Sequence, residues 1–167
     1  MTPTIRTLHD DDLPAVLDLA VRAWAPVFAS MRDVLAGSGV YEHFFLEWEP
    51  VQRRAVGQVC TATGHDVAVA VDGGRVAGFV AARADEAEGL GEIVMLAVAP
   101  EFQRRGIGGA LTRYAADGLA ARGMAVAMVE TGGDVGHAPA RRTYERAGFT
   151  PMPVVRFFAT LPITGNI

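Results

Sequence analysis

The chain has no lysine: all fifteen of its basic residues are arginine, beside 28 alanines. That bias is the mark of a GC-rich coding sequence and needs no functional reading. Cysteine is almost as scarce. With Cys60 alone, neither an internal disulfide nor a thiolate zinc cluster can form, so no metal is expected and a reducing cytoplasm is the expected location. Positive charge is in deficit, 15 Arg against 19 Asp and Glu, with a pI near 5.5. Nucleic acid is thereby excluded as a partner, since phosphate contacts call for a basic face, and an amine suits the surface better. Met1 to Asp12 holds no apolar core of a secretory signal, and no later stretch is expected to reach the length of a membrane span, so no membrane partner is expected. Repeats and low-complexity linkers are missing as well, which makes residues 1–167 one expected domain.

What is present is apolar enough to fold, since half the residues are hydrophobic and 20% charged. Strand and helix patterns alternate. Thr4 to Leu8 reads as a short strand. Aspartates 10 to 12 and Pro14 mark a helix start, and Leu13, Val16, Leu17, Ala20 and Trp24 recur at helical spacing. Residues 26 to 60 suggest one or two irregular helices around Gly37-Ser38-Gly39. Asp66 to Val71 and Arg75 to Arg83 flank Asp72-Gly73-Gly74 as a hairpin. Gly91 to Ala99 is a central strand ended by Pro100, with Glu92 inside it. A helix runs from Gly106 to Arg122 and stops at Gly123, and Ala125 to Val129 is a second buried strand. Pro139 to Ala147 is a short helix capped by Gly148, with Phe149 folding back on it, and Val154 to Ala159 is expected as a last strand.

The chemistry begins at Gln103-Arg104-Arg105-Gly106-Ile107-Gly108-Gly109-Ala110, a glycine-punctuated turn between a buried strand and a helix start. Free backbone N–H groups and the positive end of the helix dipole make such a turn an anion site, and Gly106 and Gly108 let the backbone approach a pyrophosphate. Arg104 and Arg105 add charge at its rim. The Gly-Lys-Ser/Thr ending of a mononucleotide loop is missing.

Leu96-Ala97-Val98-Ala99-Pro100 running into this turn, followed by Tyr144-Glu145-Arg146-Ala147-Gly148-Phe149, resembles the GNAT superfamily of N-acetyltransferases. The resemblance implies an α/β fold: a mixed, mostly antiparallel sheet of six to seven strands, splayed in the middle and flanked by about four helices. It implies acetyl-CoA as co-substrate in the gap between the strands at 91–99 and 125–129. The pyrophosphate would lie on the amides of residues 103 to 109, and the pantetheine arm on backbone groups of Leu96, Ala97 and Val98. A homodimer is compatible with it.

Acetyl transfer to an amine poses two proton problems, because the amine must be neutral and the departing thiolate stabilised. Tyr144 stands, by resemblance, where the family places a hydroxyl near the CoA sulfur; packing on its helix face is the other reading. Glu92 resembles the general base of one branch of the family, and strict alternation puts it on the face of Val94, Leu96 and Val98. Glu130 is a second candidate. His137 stands where the family often has asparagine, seven residues before the tyrosine, and could contact CoA, cap a helix or act as base. Arg141 and Arg142 either reach CoA phosphates or lie on a solvated face. Trp24, Phe28, Phe44, Phe45 and Trp48 are candidates for core or for an acceptor pocket, with Glu47 and Glu49 beside them. Acetylation of a small-molecule or peptide amine is the expected function, and a non-catalytic acyl-CoA-binding regulator or a transferase of longer acyl groups are the rivals.

Overall fold

The computed structural model describes residues 3–163. Five strands form one sheet in the order β1 (Thr4–Thr7), β2 (His65–Asp72), β3 (Arg75–Asp85), β4 (Leu90–Val98) and β5 (Val126–Val129). The first four pair antiparallel; β4 and β5 pair parallel. Such a parallel pair needs a crossover, supplied here by α4 (Ile107–Ala121) on one face. The other face is covered by α1 (Leu13–Val34), against which α3 (Trp48–Thr61) packs, with the short α2 (Val40–Phe44) between them; α5 (Ala138–Arg146) follows β5.

Small side chains let these layers close. Ala68, Ala70, Ala77, Ala81, Ala82 and Ala97 are buried around Phe79, Val69 and Val80, with Leu111 and Leu119 pressing from α4 and Val16 and Leu19 from α1. A Cβ on Gly91 would lie 2.6 Å from the Leu119 side chain, so that position admits only glycine without a shift of the helix.

Three sequence expectations are corrected. The sheet has five strands, not six or seven, because Val154 to Ala159 adds no strand. Pro151 and Pro153 remove two backbone donors where that strand would have to enter, and Val154, Val155 and Phe157 stand exposed. The segment 26–60 is more regular than expected: α1 continues through Phe28 and Met31 to Val34, and the glycine break precedes α2 and α3. Finally, Asp10–Val34 is long and apolar enough to cross a membrane by length and composition. In this fold its apolar side holds Val16, Leu19 and Ala20 in the core, while Asp18 and Arg22 form ion pairs with Arg53 and Glu101.

Candidate functional site

The site starts from a mismatch of lengths. β5 pairs with β4 only from Leu90 to Ile93, whereas β4 runs on to Val98. Within β4 the pairing to β3 slips at Val94, because Ala82 faces Ile93 and Ala81 faces Met95, leaving one extra residue on β4. A bulge of this kind sharpens the local twist and bends the strand. The two parallel strands therefore part beyond Ile93 and Val129, and the far half of β4 has no partner on that side among the described residues. Ala99 donates to Ala77 on β3 at 2.8 Å, so by alternation of the ladder Leu96 and Val98 turn their main-chain groups into the fork while those of Ala97 face β3.

The bulge also changes which residues share a face. Gly91 and Val98 both face α4, one against Leu119 and the other within 3.8 Å of where a Cβ on Gly108 would lie. Strict alternation would put positions seven apart on opposite faces. Glu92 is therefore on the face opposite Leu96 and Val98, contrary to the sequence expectation. Its carboxylate takes hydrogen bonds from the Arg83 guanidinium, 2.7 Å from Nε.

From Val98 the chain passes through a short 3-10 turn, Pro100–Phe102, to the glycine-rich turn. Gln103 donates its side-chain amide to the Val98 carbonyl at 3.0 Å, tying the turn to the strand. Arg104 and Gly106 both adopt positive φ, 60° and 83°; Gly106 is the residue before α4, and no side chain caps the helix. The first amides of α4 thus point out unpaired at the positive end of its dipole. An added Cβ on Gly106 would meet nothing within 4 Å, so open space lies beside this backbone. A Cβ on Gly108 would lie 3.4 Å from Thr143 of α5, Ile107 is buried, and Ala110 closes the first helical turn by donating to Gly106. Gly109 stands beside Arg113 on the helix surface. Arg105 turns back over the Phe102 ring and toward Asp72, away from the helix start.

Tyr144 is brought by α5 into the core edge, its ring 6.1 Å from that of Phe149. Burial pushes its phenol up to about 12. It therefore stays protonated across the ordinary pH range and is a hydrogen-bond donor. The Cys60 thiol is likewise pushed up by burial, to about 11, which makes it a poor nucleophile.

The loop after β5 joins the sequence candidate His137 to Asp134 and Ser30, which sequence reasoning missed. Asp134 accepts from the backbone N–H of Gly136 at 3.0 Å and from the hydroxyl of Ser30, on α1, at 2.5 Å. Its other oxygen bonds His137 Nδ1. Burial pushes the Asp134 carboxyl up, but the bonds from Ser30 and His137 outweigh it and hold the group below the usual range. Arg141 donates to the carbonyls of Gly132 and Asp134 at 2.5 and 2.7 Å, so it clamps this loop and does not reach out for phosphates. Gly132 and Gly136 make room: a Cβ on the first would strike the His137 ring, and on the second would lie 2.6 Å from Ser30 Cβ. The local signal was Asp-x-x-His between glycines; Ser30, 104 residues away, left none.

Of the aromatic candidates, Trp24 belongs to the core, edge-on to Phe79. Phe28 stacks on Trp48 at 4.2 Å and continues through Phe45 to Phe44. The extended segment after α5 joins this row by Phe158, and is tied down by Arg156 to Glu130 and by Thr160 to the Ser38 carbonyl. Glu47 and Glu49 are exposed.

Comparison with known proteins agrees with this geometry. The acetyltransferase (GNAT) domain model matches residues 63–151. A mycothiol acetyltransferase of Streptomyces bingchenggensis is 38% identical over 78 residues, 47% of this chain and 25% of that protein, so the chain spans about a quarter of the length of the curated relatives it matches. A structure from Desulfovibrio desulfuricans, described as of the GNAT family, superposes with TM-score 0.66 at 25% identity, covering 92% of this chain and 88% of the other. The PaiA N-acetyltransferase of Thermoplasma acidophilum, solved with coenzyme A, has the same fold at TM-score 0.65 and 17% identity, over 90% and 91% of the two chains. With a splayed β4–β5 pair, an uncapped glycine turn and a family match over more than half its length, this chain belongs to the GNAT acetyltransferase family.

Proposed function

We propose that the protein is an N-acetyltransferase that passes the acetyl group of acetyl-CoA directly to an amine of a small molecule or peptide, with no acetylated enzyme intermediate. One observation carries this: the fork beyond Ile93 opens beside an uncapped α4 start with clear space at Gly106. These residues fit the co-substrate. The amides of Gly106, Ile107, Gly108 and Gly109 suit a pyrophosphate, with Arg104 at the rim, and the main-chain groups of Leu96 with the amide of Val98 suit an amide-bearing arm. The neighbour solved with coenzyme A supports the same ligand class, and the relatives named for mycothiol support a small-molecule acceptor.

Acetyl-CoA supplies an activated thioester. Tyr144 donates a hydrogen bond to the departing sulfur, and an amide of the Leu96–Val98 edge stabilises charge on the carbonyl oxygen, worth about 3–4 kcal/mol per donor in comparable sites. The amine's proton falls to a base of the fork's surroundings, where Glu92 is engaged by Arg83, Glu130 by Arg156, and His137 by Asp134. Cytoplasmic action as a single domain, without nucleic acid or membrane, completes the reading. So does a homodimer covering the exposed Val154, Val155 and Phe157, which light scattering would detect.

Calorimetric titration with acetyl-CoA, followed by CoA release in the presence of an amine panel, tests the reading. One-to-one binding and amine-dependent release are expected; no binding would overturn it. Binding without release on any amine would favour the acyl-CoA-binding regulator, and faster release from propionyl- or succinyl-CoA a longer-acyl transferase.

A further inference from the structure

The cluster of Ser30, Asp134 and His137 is more elaborate than a helix cap requires. A cap is satisfied by one acceptor, and Asp134 already accepts from Gly136. Yet two glycines are held open, a nearly buried serine is brought from α1, and an arginine clamps the loop, all around one imidazole. A carboxylate only accepts hydrogen bonds, so its bond to His137 puts a proton on Nδ1, and in the neutral ring the free lone pair is then on Nε2. The ring lies over Gly132, three residues past Val129, the last β5 residue paired to β4. Tyr144 is seven residues further along α5, on the same side of the helix and about 10 Å along its axis. A donor for the leaving sulfur and an acceptor for the amine proton would thus lie on one side of one element.

We propose that His137 is the general base of the acetyl transfer, with Asp134 and Ser30 as positioning residues; this rests on the acetyltransferase reading above. In the step, the neutral amine nitrogen forms a bond to the thioester carbon while the C–S bond breaks and its electron pair leaves on sulfur. The proton lost by nitrogen goes to His137 Nε2 and from there to solvent. The group bonded to the imidazole is Asp134 on its own loop, to whose other oxygen Ser30 of α1 donates; Arg141 from α5 is spent on carbonyls, and Glu92 and Glu130 are each paired to an arginine.

The decisive variant is His137→Asn, because an amide can keep a polar contact to CoA or to the helix but cannot take a proton. Acetyl-CoA affinity is read by calorimetry and CoA release is followed with spermidine, phenethylamine and a glycyl peptide as probes. The expected result is unchanged acetyl-CoA affinity with kcat at pH 7 lowered by about a hundredfold or more, the deficit shrinking toward pH 10 as free amine and hydroxide take over. Asp134→Asn should lower kcat without raising KM for acetyl-CoA, and Ser30→Ala should do so more mildly. A His137→Asn enzyme of wild-type kcat, or a deficit flat across pH, would overturn the base assignment and leave the acetyltransferase reading standing. Binding of acetyl-CoA with no release on any probe by the wild type would overturn both.

Discussion

Under the proposed function, Tyr144 would be held to a single duty by its surroundings. With a phenol at about 12 and an ordinary thiol near 8.5, full proton transfer to sulfur is uphill, and donation of a hydrogen bond is what remains. Hydrogen bonds to charged groups are worth about 1.5–3 kcal/mol, so Tyr144→Phe should lower kcat roughly ten- to a hundredfold with KM for acetyl-CoA nearly unchanged. Equal kinetics would make the ring a packing residue. Gly106 is the opposite case, a position defined by having no side chain. At φ 83° a β-branched residue is strained, by about 1–2 kcal/mol, and its methyl groups enter the open space beside the amides. Gly106→Val should therefore weaken acetyl-CoA binding at least about tenfold in calorimetry while the fold survives by circular dichroism, an extrapolation from the helix-start amides. Both residues could be singled out in the sequence because their signals are local: a glycine after a strand, and a tyrosine before Glu-x-x-Gly-Phe that carries the family resemblance. Ser30 was not, because its partner is 104 residues away.

At the scale of elements, periodicity located every strand of the sheet and every helix after residue 65, and it failed where pairing overrides pattern. The bulge at Val94 inserts one residue without interrupting the apolar run, so nothing in the composition of β4 announces that Glu92 and Leu96 belong to different faces. The missing last strand has the same lesson in reverse. Val154 to Ala159 has strand-like residues, but a strand also needs a neighbour's edge and its own donors, and Pro151 and Pro153 precede it. Packing between elements is testable at Gly91, whose missing Cβ admits Leu119. Gly91→Ala should cost about 1–3 kcal/mol in urea unfolding, and Leu119→Ala in the same chain should recover part of that cost. Purely additive losses would show that the strand and α4 do not meet there.

For the molecule as a whole, the absence of lysine fixes which half of each arginine–carboxylate pair can titrate. Guanidinium stays charged throughout the accessible range, so acid breaks the arginine–carboxylate pairs through their carboxylates. Asp12, gripped by Arg6 and also accepting from the His9 amide, is held down to about 2 from an ordinary 3.8. Glu101, bonded chiefly by Arg22, is held near 2 as well. A carboxylate that binds its proton less readily when folded contributes fully above its unfolded value and loses that contribution as pH falls through its folded one. The melting temperature should thus drop between about pH 4 and pH 2, and Asp12→Asn should flatten that part of the curve while melting lower at pH 7. Parallel curves would place the acid sensitivity elsewhere.

The cleft of this protein is a matter of length: β5 stops at Val129 opposite Ile93, while β4 runs on to Val98. An aperture made that way has no hinge and no latch. It stands ready before any visitor arrives, and trimming side chains will not shut it. Removing the single residue at position 94 would bring β3 and β4 back into step and take the extra twist out of β4.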